Sequence, residues 1–114
     1  MTARDLIAQA VTGAAGVTCS PYYRLALAPG EAFVRRGRVI PAENGFGHLV
    51  TWQVWVALPQ DLTTAEKWTD EYAGDLLDAL DAELNTVSLT PAELVLTPGG
   101  PSIPGLILEG AREG

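Results

Sequence analysis

Three observations predict an α+β fold, with two helices packed on one face of a mainly antiparallel, mixed sheet of about four to five strands. Residues His48 to Leu58 alternate apolar and mixed side chains with the period of a strand. From Thr63 to Leu84 the apolar residues recur every fourth position, the period of an amphipathic helix. The remaining apolar runs are short and are separated by Pro- and Gly-rich turns. Taken along the chain, these signals give the order α-β-β-β-α-β-β.

The first helix starts at Thr2, with Asp5 three residues on in the manner of a capping box. Leu6, Ile7, Ala10, Val11 and Ala14 form its apolar stripe, and Gly16 is placed to end it as a left-handed cap. Residues Val17 to Tyr23 read as extended, with Pro21 marking an edge or irregular strand. Ala28-Pro29-Gly30-Glu31 is a turn. A second strand covers Ala32 to Ile40, and Gly37 inside it indicates a bulge or a close approach. The loop PAENGFG from Pro41 follows, with its reversal placed at Asn44-Gly45.

The long strand His48 to Leu58 places Val50, Trp52, Val54, Val56 and Leu58 on a core face. Leu49, Thr51, Gln53, Trp55 and Ala57 stand on a mixed face. Thr63 and Glu66 read as a capping box opening the second helix. Its stripe is Trp68, Tyr72, Leu76, Leu80 and Leu84, widened by Ala65, Ala73 and Leu77, and Asn85 is placed to end it. Pro91 to Thr97 reads as a strand and Pro98 to Pro101 as a turn. Leu106 to Leu108 is a last strand ended by Gly110, with a frayed tail from Ala111 to Gly114.

Composition bounds the function. A chain of 114 residues has the size of one domain, spanning 1–114, and 47% hydrophobic with 18% charged residues is globular composition rather than disorder. It contains no apolar run of the roughly 18 residues that a membrane helix needs. Its start lacks the basic, apolar and small-residue blocks of a secretory signal, so synthesis in the cytoplasm is expected. The net charge of −7 is uneven. Residues 1–57 carry five arginines against three carboxylates, a balance of +2, and residues 58–114 carry two basic against eleven acidic groups, a balance of −9. One reading is a solvated acidic helix that keeps the protein in solution. The sharper one is a basic edge that meets an acidic face between neighbouring copies. Overall acidity argues against tight nucleic-acid binding.

No chemistry assembles along the chain. Cys19 is the sole cysteine, so an intrachain disulfide is ruled out, and it reads as a small buried hydrophobe. His48 is the sole histidine and lies at a strand start, with no nucleophile tied to it locally. Asp75, Asp78 and Asp81 have the spacing of a solvent-facing stripe and lack a pocket to separate their pKa values. PGGPSIPG and ENGFG are turns rather than phosphate cradles, since neither opens a helix as a P-loop does. No catalytic, cofactor or metal residue is therefore assigned. Arg35, Arg36 and Arg38 form the one basic cluster, fit either for a protein contact or for charging a solvated strand edge. Trp52 and Trp68 read as packing. Trp55, on the mixed face, is to be covered by a loop or by a partner, the latter as an interface anchor.

The whole chain resembles the tail terminator proteins of long-tailed, siphovirus-type bacteriophages. The resemblance lies in the helix ARDLIAQAV, the segment VTCSPYYR, the strand PGEAFVR and the long strand VTWQVWVALP. It continues in the helix TTAEKWTDEYAGDLLDAL, the segment TPAEL and a late glycine–proline turn. It implies a structural virion protein, not an enzyme, that is assembled in the host cytoplasm and located in the tail or neck. Copies would form a homo-oligomeric ring, usually a hexamer, that caps the tail tube and joins tail to head. The implied partners are the tail tube protein and a neck or head-completion protein, with DNA passing through the channel without specific binding and no membrane involved. Interface contacts would come from Arg35, Arg36, Arg38, Asn44, Phe46 and Trp55. The chain is short for that family, which leaves room for a stopper or connector role in the neck. A reading from another class is a small-ligand or peptide-binding domain, with a pocket around Trp55 and Gln53.

Overall fold

Alternation along the long strand decides the architecture. Val50, Trp52, Val54 and Val56 all point to one side and are buried, and burying each such side chain stabilises the fold by roughly 1.5–3 kcal/mol. The computed structural model describes residues 2–14, 16–24, 26–41 and 47–113. Its elements are α1 (Ala3–Thr12), β1 (Thr18–Ser20), β2 (Glu31–Pro41), β3 (His48–Ala57), α2 (Leu62–Asp81), β4 (Asn85–Val95) and β5 (Ser102–Glu113). The fold is α+β in the predicted order.

The five strands lie in the order β1-β2-β3-β5-β4. β1 pairs with β2 in parallel, and the other neighbours are antiparallel. α2 forms the connection from β3 to β4, and the β4–β5 hairpin then brings β5 back between them. Both helices cover one face. Ile7, Ala8 and Val11 of α1 join Ala65, Leu76 and Leu80 of α2 in a single core with Val34, Val54, Val56, Leu106 and Leu108. α1 has only 10 residues, too few to persist unaided, so this packing holds it.

The capping box at Thr2 and Asp5 is present, but α1 stops at Thr12 with Gly13 as its cap. Gly16 does adopt a left-handed φ of 68°, in the turn beyond the helix rather than as its cap. A tie from Cys19 explains the early stop: its backbone N–H donates to Thr12 Oγ1 at 3.0 Å, drawing the chain into β1. α2 begins earlier than expected. Its N-cap is Asp61, whose carboxylate accepts from the Thr64 backbone N–H at 3.2 Å, so the Thr63 box does not form. It also ends earlier, at Asp81, and Asn85 opens β4 instead of closing the helix.

The other differences are in strand length. The extended segment expected over Val17 to Tyr23 is a strand only over Thr18–Ser20. β4 starts six residues before Pro91, because Ser88 to Thr90 find partners at Glu109 to Ile107. β5 runs on through Gly110 to Glu113, paired with β3 as far as Leu49, so the expected frayed tail is largely strand. Isolated stretches of this kind carry weak signals, and pairing with a neighbouring strand supplies the order.

Candidate functional site

The basic cluster lies where the sheet loses its outer strand. β1 pairs only with Glu31 to Phe33, so β2 from Val34 to Pro41 has β3 on one side and no strand on the other among the described residues. Arg35, Arg36 and Arg38 are all exposed on this edge, followed by Val39 and Ile40 at 41% and 38% exposure. The register with β3 shifts between Arg36 and Val39. Gly37 sits in that irregularity, where a Cβ would lie 2.9 Å from the carbonyl oxygen of Thr51. The strand can bulge there only with glycine.

Each arginine meets different surroundings. Arg35 projects from the face opposite the helices and lies over Trp55, 4.8 Å from the ring centroid. Arg36 projects on the helix face toward Trp52, at 6.0 Å. Neither makes an ion pair among the described residues, where the two pairs found are Arg24–Glu31 and Arg112–Glu83. Arg38 falls within the bulge. Asn44 and Phe46 lie outside the described residues.

Trp55 is half-buried and anchors a second apolar cluster. It meets Phe33 edge-on at 5.5 Å, and Phe33 meets Tyr23 edge-on at 5.1 Å. Phe33 and Leu94 are fully buried yet stand apart from the core beneath the helices. Leu94 fills the space that a side chain at Gly105 would need. The indole N–H of Trp55 donates to Gln53 Oε1 at 3.0 Å, and Gln53 Nε2 donates to Glu109 Oε2 at 2.7 Å. This arrangement fills the face around Trp55 and Gln53. Neither residue lines the hollow beside β2 or the groove beside α2.

Arg4 was not singled out by its sequence, yet it organises the start of the free edge. Its Nη1 donates to the carbonyl oxygens of Pro21 and Val34, both at 2.9 Å, and its guanidinium lies 4.6 Å from the Tyr22 ring centroid and 5.2 Å from that of Trp52. The available signal was spacing. Arg4 stands three, four and seven residues before Ile7, Ala8 and Val11, on the buried stripe of α1. Together with Arg35, Arg36, Tyr22 and Tyr23 it lines a shallow hollow of about 590 Å³ beside β2.

The remaining chemical candidates stay apart. Cys19 is opposite Ala32, which is opposite Val56, eight residues along β3 from His48. That is roughly 26 Å at 3.3 Å per residue, so thiol and imidazole do not meet. Cys19 is half-buried against the core rather than fully buried, and its partial desolvation pushes the thiol up to about 12. Asp75, Asp78 and Asp81 are exposed, and no group of three His, Cys, Asp or Glu could hold a metal ion among the described residues. No described helix is long and apolar enough to cross a membrane.

At the other end of the strand order β4 is also an edge, with Pro91, Glu93 and Val95 exposed, and Val95, Leu96 and Pro98 at its end reach the hollow lined by Arg35 and Arg36. Between β4, β5 and the first half of α2 runs a groove of about 660 Å³. The molecule thus offers two long strand edges, one carrying arginines and one beside acidic groups. A search with family models and a search of curated proteins each returned no match to this chain.

Proposed function

We propose that this chain is a structural protein of a long-tailed bacteriophage, a tail terminator whose ring caps the tail tube and joins tail to head. The observation that supports it best is the pair of unlike strand edges on one sheet, β2 past Val34 and β4. Unpaired edges invite another chain, and proteins normally keep them short or covered. β4 alone has 11 residues, about 36 Å of edge. Two different edges can join copies head to tail, and such a heterologous contact closes into a ring when its rotation allows.

Charge adds direction. Three arginines lie on the β2 edge, whereas residues 58–114 carry a balance of −9. The reading also accords with the described side chains, among which no acid, base and nucleophile share a cleft. Acidic groups toward a central channel would let DNA pass without adhering.

Light scattering on the purified protein, alone and mixed with polymerising tail tube protein, tests this. A discrete closed oligomer that shortens the tubes is expected. A protein that stays monomeric at high concentration and leaves tube length unchanged would sink the proposal. A ring that ignores the tube would move it to a stopper or connector role in the neck.

A further inference from the structure

We infer that the β2 edge of one copy docks as an added strand on the β4 edge of the next, with Arg36 and Val39 entering the groove between β4 and α2. This rests on the ring reading and names its contact. The groove is lined by Leu62, Ala65 and Pro91 together with the acidic Glu66, Asp70 and Glu93. Leu62 is 69% exposed, a large apolar side chain with nothing over it. A lining of apolar and acidic side chains calls for a strand that carries both a cation and an aliphatic side chain.

The free part of β2 has that composition on the correct face. Arg36 is opposite Trp52 and Val39 is opposite Val50, and both of those β3 residues point toward the helices. Arg36 and Val39 therefore share the helix face of the β2 edge, because residues opposite one another in a sheet project to the same side. A sheet continued from one copy into the next keeps its helices on one side. Arg36 then meets Glu66 and Asp70 of the neighbour, and Val39 meets Leu62. Main-chain hydrogen bonds supply affinity in such strand addition except at Pro91, which has no N–H to donate, and side chains in the groove select the partner.

The symmetric alternatives are disfavoured by charge. Joining β2 to β2 sets three arginines against three, and joining β4 to β4 brings Glu93 toward its own copy. Like charges across an interface suppress the wrong pairing. The arginines that keep β2 edges from sticking to each other therefore also direct β2 to β4.

Two experiments on the full chain test this. In the first, Val39→Cys and Leu62→Cys are combined and treated with a short bismaleimide, with Val39→Cys plus Gln9→Cys on exposed α1 as the control. A covalent ladder is expected from the first pair and not the second. In the second, Arg36→Glu and Asp70→Arg are compared singly and together by light scattering. Each single change is expected to lower the oligomer population about tenfold, and the double change to restore it. All the substituted positions are exposed, and circular dichroism of each variant is the check that it folds. A ring that persists without a 39–62 crosslink and tolerates Arg36→Glu overturns this contact and leaves the ring standing. No oligomer and no crosslink in any form of the protein overturns both.

Discussion

Arg35 stacks on the indole of Trp55, its guanidinium carbon 4.8 Å from the ring centroid, while the indole N–H turns away to Gln53. The cation thus holds the aromatic from the free edge of the sheet, and the polar end of the ring is tied to the interior line Gln53–Glu109. An exposed stack of this kind contributes about 0.5–1 kcal/mol. A double-mutant cycle of Arg35→Ala and Trp55→Leu, followed by urea unfolding, is expected to return a coupling of that size. A coupling near zero would show that the stack is incidental.

Gly37 and Gly74 should respond oppositely to alanine. At Gly37 the new methyl meets the Thr51 carbonyl oxygen, and forcing that contact costs about 1–3 kcal/mol. At Gly74, inside α2, a Cβ meets nothing within 4 Å, and alanine gains about 0.5–1 kcal/mol through helix propensity. Chemical denaturation of the two variants measures both signs. Stability unchanged by Gly37→Ala would refute the close approach.

Trp52 is 7% exposed, and its indole N–H has no hydrogen-bond partner among the described residues. An unpaired buried donor costs about 1–3 kcal/mol. Trp52→Ala is expected to destabilise by about 3–5 kcal/mol. Trp52→Phe should cost less than half as much, because it keeps most of the ring and removes the orphaned donor. Equal losses in thermal unfolding would show that the donor is satisfied in solution.

Acid should loosen the helix starts. Hydrogen bonds from the Thr64 side chain and backbone hold the Asp61 carboxyl below its ordinary value of 3.8, and the Thr2 side chain does the same for Asp5. A carboxyl depressed by folding stabilises the fold above its unfolded pKa, and that contribution is lost as pH falls through its folded pKa. Asp61→Asn keeps a good cap and removes the titration, so its stability should vary less with pH below about 4 than that of the parent protein. Identical pH profiles would contradict the assignment.

Cys19 should be inert while the protein is folded. With its thiol pushed up to about 12 by burial, almost no thiolate exists at pH 8. Labelling by a disulfide reagent is expected to follow unfolding, rising sharply in denaturant. Complete labelling of native protein within the mixing time would refute it.

Element order was legible because each signal is local. The period of Trp68, Tyr72, Leu76 and Leu80 marks a helix wherever the chain goes, and the alternation around Val54 marks a strand with one buried face. Gly37 announced the bulge for a similarly local reason. Of the interface candidates, Arg35, Arg36, Arg38 and Trp55 cluster around the free β2 edge. The role of Arg4 was hidden, because the carbonyls it satisfies belong to Pro21 and Val34, 17 and 30 residues away.

By itself, the sequence determined the order of helices and strands, the buried faces of the long strand and of α2, and that a basic first half precedes an acidic second half. Only the tertiary structure decided that β5 returns between β3 and β4, that Asn85 to Thr90 extend β4, and that β2 and β4 are left with open edges. Periodicity acts through neighbouring residues along one element. A strand edge is open or closed according to which distant segments pair, and that is a property of the whole sheet.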